Sequence, residues 1–303
     1  MHKVLITGIT GFLGSHIAER LVSDKHFKVI GLQRESSDLW RCDNFKDEIE
    51  WVTIEQGGEW ERKIEILAPE IVIHCAWTGV EAKDRSNWNV QKQNLDLLIT
   101  LLNIFNKVEI NKFIFLGSQA EYGKFSGCVS ETFPIMPIDA YSYAKLSCLQ
   151  ILQTFAENYH FNWIWLRVFS VFGEREGAEW LLPSIINKMT SELEMDLTAG
   201  EQKYAYLYAK DFASIVSDIV HKKVDSGIYN LSSNFVLSIK DLVLKVKDKV
   251  NPNFRPNFGK IPYREGQSMY MEGSIEKLQS QIGPIDFSDF DLVLEDTINY
   301  YKS

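Results

Sequence analysis

The sequence predicts a doubly wound parallel α/β sheet with a smaller C-terminal lobe. Three observations lead there. Apolar, β-rich runs alternate with longer amphipathic stretches through the first two-thirds of the chain, a glycine-rich turn follows the first run directly, and after about Arg167 the rhythm breaks into shorter elements punctuated by Pro183, Pro252, Pro256 and Pro262. Strands covered on both faces by crossover helices read as near-continuous apolar runs.

Each element follows in order. Val4-Leu5-Ile6-Thr7 is the first strand, and Phe12 to about Val22 its following helix. Phe27 to Leu32, Glu50 to Ile54 and Ile71 to His74 are the next strands, the last after a helical segment around Arg62 to Leu67. Ser86 to Phe105 reads as a long helix because Leu95, Leu98, Leu101 and Leu102 fall on one face. The strand Lys112–Leu116, a helix from about Ala140 to Tyr159 and the strand Trp163–Leu166 complete the pattern, and Gly227–Leu231 is one more β-like run. The expected division is a dinucleotide-binding domain over 1–168, with return segments at about 205–232, and a second lobe from 169–204 and 233–303. No repeat, low-complexity tract or linker is visible.

Composition sets the limits. The chain has 303 residues, 45% hydrophobic and 24% charged, long enough to bury a large core without metal or disulfide staples. Lys+Arg 32 against Asp+Glu 41 gives −9, which argues against nucleic acid or an anionic membrane as partner. Cys42, Cys75, Cys128 and Cys148 form no CxxC or Cys/His cluster, and the histidines show no metal spacing, so no metal site and reduced thiols are expected. No apolar run reaches membrane-spanning length and no signal peptide is recognisable; the expected location is cytoplasmic.

Thr7-Gly8-Ile9-Thr10-Gly11-Phe12-Leu13-Gly14 lies between the first strand and the first helix. Glycines there permit a tight turn, close approach of the backbone to a pyrophosphate and close helix–strand packing. The helix N-terminus then points unpaired N–H groups and its positive dipole end at the phosphates. This context predicts dinucleotide binding rather than an ordinary strand-to-helix turn. At the end of the second strand, Gln33 stands where an acid would hold the ribose of NAD, and Arg34 follows. An arginine there suits a 2′-phosphate, so NADP(H) is the expected cofactor.

Tyr141 and Lys145 are four apart at the start of a helix and share a face. An ammonium beside a tyrosine lowers its pKa and makes it a usable acid or base near neutrality. Ser118 follows the strand Phe113–Leu116 at its carboxyl end, where open α/β sheets place ligands, and its hydroxyl is suited to bonding a carbonyl oxygen beside Tyr141.

With these residues in place, the chain resembles the extended short-chain dehydrogenase/reductases of the nucleotide-sugar epimerase/dehydratase family. The resemblance is carried by Thr7–Gly14, Pro69–Ala76, Asn94, Phe113–Gly123, Tyr141–Lys145 and Leu166–Gly173, with weaker matches from Gly200 to Asp211 and Arg264 to Gly283. It implies a Rossmann sheet, Tyr141 as acid/base, Lys145 holding the nicotinamide ribose and lowering the tyrosine pKa, and Ser118 orienting the sugar oxygen. It implies a structural role for Asn94, cofactor contacts from Cys75, Ala76 and Trp77, a nucleotide-sugar site in the smaller lobe, and a homodimer through the two long helices.

Dehydration across two sugar carbons needs a further acid and base, which the dehydratases resemble each other in placing directly after the Ser/Thr; here Gln119 and Ala120 stand there. The epimerase-reductases carry a Cys two residues after the serine and a His before a Val-Ile-Pro run; Ala120 and Trp180 replace them. Chemistry needing one hydride and one proton survives. The expected reaction is NADPH-dependent reduction of the C4 keto group of a 4-keto-6-deoxy or dideoxy nucleotide sugar, in surface-polysaccharide synthesis; the Gly117–Gly123 run resembles reductases of that kind. A 4-epimerase retaining NAD, and a non-catalytic NADP(H) sensor, are the alternatives. Thr78, Gln119, Ala120, Glu121, Tyr122, Ser170, Trp180, Tyr204 and Arg264 are the candidate substrate contacts, with Ser170 and Tyr204 standing where many relatives have Asn and Arg.

Overall fold

A computed structural model of the chain describes residues 1–264 and 266–302; Glu265, inside the weaker match that begins at Arg264, and Ser303 lie outside the described residues. The first half runs β1 (His2–Thr7), α1 (Phe12–Val22), β2 (Phe27–Arg34), β3 (Glu50–Ile54), α2 (Glu59–Leu67), β4 (Ile71–His74), α3 (Trp88–Phe105), β5 (Lys112–Ser118), β6 (Gly127–Val129), α4 (Ala140–Tyr159) and β7 (Asn162–Val168). There follow β8 (Ser170–Phe172), α5 (Leu181–Ser191), β9 (Glu194–Asp196), β10 (Lys203–Tyr208), α6 (Ala209–His221), β11 (Gly227–Leu231), β12 (Val236–Ser238), α7 (Ile239–Val250), β13 (Arg255–Asn257), β14 (Tyr270–Gly273), α8 (Glu276–Ile282) and α9 (Phe290–Lys302).

Strand side chains alternate between faces, and the apolar runs therefore feed two cores. Val4, Ile6, Val29, Ile73, Ile114 and Ile164 pack against Ile17 and Leu21 of α1 and Phe212 and Val216 of α6. Leu5, Ile30, Val72, Phe113, Phe115 and Trp165 pack on the other face against Leu98 and Leu101 of α3 and Leu152 of α4. Between them lies a seven-stranded sheet of order β11-β7-β5-β4-β1-β2-β3. Every pairing in it is parallel. This is the expected doubly wound Rossmann sheet.

The strand order positions the site. The chain moves outward from β1 to β3, then returns to lay β4 on the other side of β1, with Thr7 opposite His74 in register. Loops leaving β1 and β4 part in opposite directions and open a crevice at the carboxyl ends, where such sheets bind ligands.

The second lobe has its own five-stranded sheet, in which β12-β10-β14-β6 are neighbours and β8 pairs with β10, and a small β13-β9 pair. Its core joins Ile185, Ile186, Val243, Val246, Leu294 and Ile298. Two segments cross the sequence divisions. β6 leaves the first half of the chain to pair with β14, while Leu278 and Ile282 of α8 return to the core of the large sheet. Among the described residues, no helix is long and apolar enough to cross a membrane.

Candidate active site

The turn after β1 is built by backbone contact. Gly8 has φ +66, and a Cβ there would stand 2.5 Å from the Ala76 nitrogen; one on Gly14 would stand 2.2 Å from the Gly8 oxygen. The Gly11 N–H donates to the Gly8 oxygen at 2.9 Å, closing the turn. Gly11 is also the N-cap of α1 and provides no side-chain cap. The first N–H groups of the helix, from Phe12, Leu13 and Gly14, are therefore left for a ligand. Together with the half-buried Thr10, this cradle fits a dinucleotide pyrophosphate. On its far wall the Ala76 N–H donates to Thr7 Oγ1 at 3.2 Å, so the segment Cys75–Trp77 is tied to the glycine turn. Arg34 ends β2, exposed, its backbone N–H donating to Ser37 Oγ at 3.0 Å.

Ser118 is the last residue of β5, and Tyr141 and Lys145 lie in the first two turns of α4. The helix begins there because Asp139 and Ser142 cap each other's backbone reciprocally. Ser118 lies close enough to the Tyr141 phenol to lower its pKa. Lys145 Nζ donates to the Leu116 oxygen at 2.7 Å and lies 3.6 Å from the centroid of the Trp77 ring. All three residues predicted to carry the chemistry thus meet at the carboxyl end of β5, each at least nine-tenths buried.

The electrostatics differ from the expectation for a Tyr/Lys pair. Burial raises the Tyr141 pKa above the usual phenol value, and Ser118 and the Arg85 charge offset this only in part. The Arg85 guanidinium is 4.2 Å from the tyrosine ring centroid, whereas the Lys145 ammonium is 5.8 Å away and committed to Leu116. Burial lowers the Lys145 pKa to about 7. His74, beside it, is pushed down to about 3 by burial and the Lys145 charge, which keeps it neutral. Its Nδ1 shares a 2.8 Å hydrogen bond with Thr7 Oγ1.

The remaining predicted residues divide. Asn94 bonds both backbone groups of Thr78, receiving its N–H at 2.8 Å and donating to its oxygen at 3.0 Å; these bonds run to the loop after β4 rather than to α4. Glu121 and Tyr122, expected beside the substrate, are fully buried behind Ser118. Glu121 accepts from the Ser118 N–H at 2.8 Å and from Arg167 Nε at 2.8 Å, and the Tyr122 hydroxyl donates to Asn230 at 2.6 Å. Their polar atoms are taken by the interior, so neither faces a ligand. Gln119 and Ala120 begin the short turn after Ser118, Ala120 with 8% exposure. In the second lobe, Ser170 of β8 pairs with Tyr206, Trp180 caps α5 and is 47% exposed, and Tyr204 accepts from Gln267 at 2.5 Å with Arg264 near enough to act on its charge.

Sequence reasoning missed Arg85, Gln91 and Arg41. Gln91, fully buried, donates to the oxygens of Gly79 and Asp84 and accepts from Trp77 Nε1, pinning the loop after β4. Arg41 Nε donates to the Arg175 oxygen at 2.7 Å beside Thr10. A polar residue at a buried helix position signalled Gln91; Arg85 lies in a loop and Arg41 in a single short helical turn, where no periodicity marks them.

The NAD dependent epimerase/dehydratase family matches over residues 4–232. An uncharacterized UDP-glucose epimerase of Bacillus subtilis (strain 168), YtcB, is 25% identical over 73% of this chain and 73% of its own. The dTDP-6-deoxy-L-talose 4-dehydrogenase (NAD(+)) of Aggregatibacter actinomycetemcomitans is 25% identical over 90% of this chain and 99% of its own. Among solved structures, a UDP-N-acetylglucosamine 4-epimerase from Methanobrevibacter ruminantium M1 superposes with TM-score 0.88 at 22% identity, covering 99% of this chain and 98% of that one.

Proposed function

The chain belongs to the NAD dependent epimerase/dehydratase family, and from that premise we propose that it reduces the C4 keto group of a 4-keto-6-deoxy or dideoxy nucleotide sugar, with NADPH as reductant. At the coarser level it is an enzyme of the nucleotide-sugar epimerase/dehydratase type that works with a nicotinamide dinucleotide. The observation that carries the finer reading is the content of the turn after Ser118. Tyr141 and Ser118 act on each other at the carboxyl end of β5, and Gln119 and Ala120 bring no second proton carrier to them.

In this reading Gly8, Thr10, Gly11, Phe12, Leu13 and Gly14 hold the pyrophosphate, Arg34 takes the 2′-phosphate and Cys75, Ala76 and Trp77 flank the nicotinamide half. Bound there, the dinucleotide supplies the hydride. Ser118 donates a hydrogen bond to the substrate carbonyl oxygen and Tyr141 gives that oxygen its phenol proton, recovering one from solvent afterwards. Lys145 bonds the nicotinamide ribose, exchanging its hold on the Leu116 oxygen. Thr78, Gln119, Ser170, Trp180, Tyr204 and Arg264 contact the nucleotide sugar. A homodimer forms through α3 and α4, which expose Trp88 at 62%, Tyr143 at 48% and Tyr159 at 44%.

The test is incubation of the full chain with NADPH and a panel of 4-keto-6-deoxy nucleotide sugars, following loss of NADPH absorbance and product by NMR. Oxidation with at least one panel member is expected. Tight NADPH binding with no oxidation by any member would overturn the reading. A 4-epimerase uses the same three residues, and likeness to YtcB favours it; protein that purifies with NAD bound and interconverts sugars without added reductant would establish that reading instead.

A further inference from the structure

We propose that Arg85 is the positioning residue for Tyr141, seating its ring and providing the positive charge that a phenolate there faces, a role that rests on Tyr141 being the proton donor. Arg85 lies in the loop between β4 and α3, far from Tyr141 in sequence, yet three contacts join them. The Tyr141 backbone N–H donates to the Arg85 oxygen at 2.8 Å. Arg85 Nε donates to Asp139 Oδ2 at 2.8 Å, and Asp139 is the N-cap of the helix that carries the tyrosine. The guanidinium then lies 4.2 Å from the tyrosine ring centroid.

The first helical turn has N–H groups without intrahelical partners. Arg85 satisfies the one on Tyr141 with its own carbonyl, fixing the backbone of the reacting residue from outside the helix. Its side chain fixes the ring. A guanidinium against an aromatic face is attracted by the ring quadrupole, and the attraction grows when the ring carries a full negative charge. The tyrosine therefore passes its proton to the substrate oxygen with a cation already placed over the phenolate that remains. No reorganisation is needed as that charge develops.

The other groups around Tyr141 do not take this role. Ser118 of β5 favours ionisation of the tyrosine but carries no charge, while Glu121 behind it and Asp139 beside it oppose ionisation. Lys145 of α4 is 5.8 Å from the ring centroid, its ammonium given to the Leu116 oxygen. The Arg85 side chain is 32% exposed and Asp139 neutralises part of its charge. An effect at the lower end of the range for an opposite charge at this distance follows, about one pH unit.

The experiment reads the tyrosine directly. Full-length protein is labelled with [13Cζ]tyrosine, the Tyr141 resonance is identified by its absence from Tyr141→Phe, and its titration is followed in the parent, Arg85→Met, Arg85→Gln and Arg85→Lys. The midpoint is expected to rise by about one unit in the Met and Gln variants and to return most of the way in Arg85→Lys. An unchanged midpoint in either neutral variant, with the fold retained by circular dichroism, would overturn the proposal. Since this readout needs no turnover, failure of the reductase reading is seen separately, as NADPH left unoxidised by the sugar panel while the Arg85 shift persists.

Discussion

Arg167 donates from Nε to Glu121 Oε2 at 2.8 Å, and neither side chain has any exposure to solvent. The pair stands directly behind Ser118, whose backbone N–H donates to the other carboxylate oxygen at 2.8 Å. Trp165 Nε1 donates to the same carboxylate. Removing one member of a buried pair leaves an uncompensated charge and costs about 3–5 kcal/mol. Glu121→Gln is therefore expected to lose that much in urea denaturation, and Glu121→Gln/Arg167→Met to recover most of it. A single variant within about 1 kcal/mol of the parent would show that the pair matters little.

This pair also marks how far the sequence could be read. The large sheet was legible because each of its strands is an apolar run, and apolar runs report burial on both faces. Arg167 interrupts one such run, a signal that a partner for a buried charge exists, but nothing local says it is Glu121. The same gap made Glu121 and Tyr122 read as ligand contacts. They follow Ser118 in sequence, and only the turn after β5 shows that both point inward. Ser118, Tyr141 and Lys145 were legible through spacing and motif, whereas Arg85 reaches them through a loop whose path no pattern encodes.

Tyr141→Phe removes the phenol hydroxyl and leaves the ring between Arg85 and Trp77. Turnover is expected to fall by about 10²- to 10⁴-fold. NADPH binding, measured by fluorescence titration, is expected to stay within a factor of about two, a loss of under 0.5 kcal/mol. Equal turnover in the variant would remove Tyr141 from its assigned role.

Gly14→Ala tests the cradle. The added Cβ would stand 2.2 Å from the Gly8 oxygen, a backbone atom that no side-chain rotation can move. Either α1 shifts or the turn opens, and both spoil the approach of the pyrophosphate. Cofactor affinity is expected to drop at least about 10-fold, with destabilisation of about 1–3 kcal/mol typical of overpacking. Isothermal titration with unimpaired binding would mean that the turn does not carry the phosphates.

Acid sensitivity follows from two histidines held neutral. Burial lowers His74 to about 3, and burial with the Arg175 charge lowers His16 to about 4. Both groups titrate near 6.5 once unfolded, so below that pH the unfolded chain binds protons the folded chain refuses. The stability they confer is complete above about pH 6.5 and is lost as pH falls towards 4. Each is expected to cost about 2 kcal/mol between pH 7 and pH 5. Urea midpoints at the two pH values should show the loss, and His16→Asn/His74→Asn should flatten it; parallel curves for parent and variant would exclude these groups as the source.

The proposed choice of NADPH rests on Arg34. It ends β2 exposed, and among the described residues its guanidinium has no ion-pair partner, although Glu35 is adjacent. A guanidinium at this end of the second strand is placed for a ribose phosphate, and a hydrogen bond to a charged group contributes about 1.5–3 kcal/mol. Arg34→Asp is therefore expected to weaken NADPH binding about 10- to 100-fold while leaving NADH binding equal or better. The parent must first prefer NADPH in the same titration. Equal affinity for both cofactors in the parent, unaltered by Arg34→Asp, would leave the arginine without a phosphate to hold and would move the chain towards the NAD-retaining 4-epimerase reading.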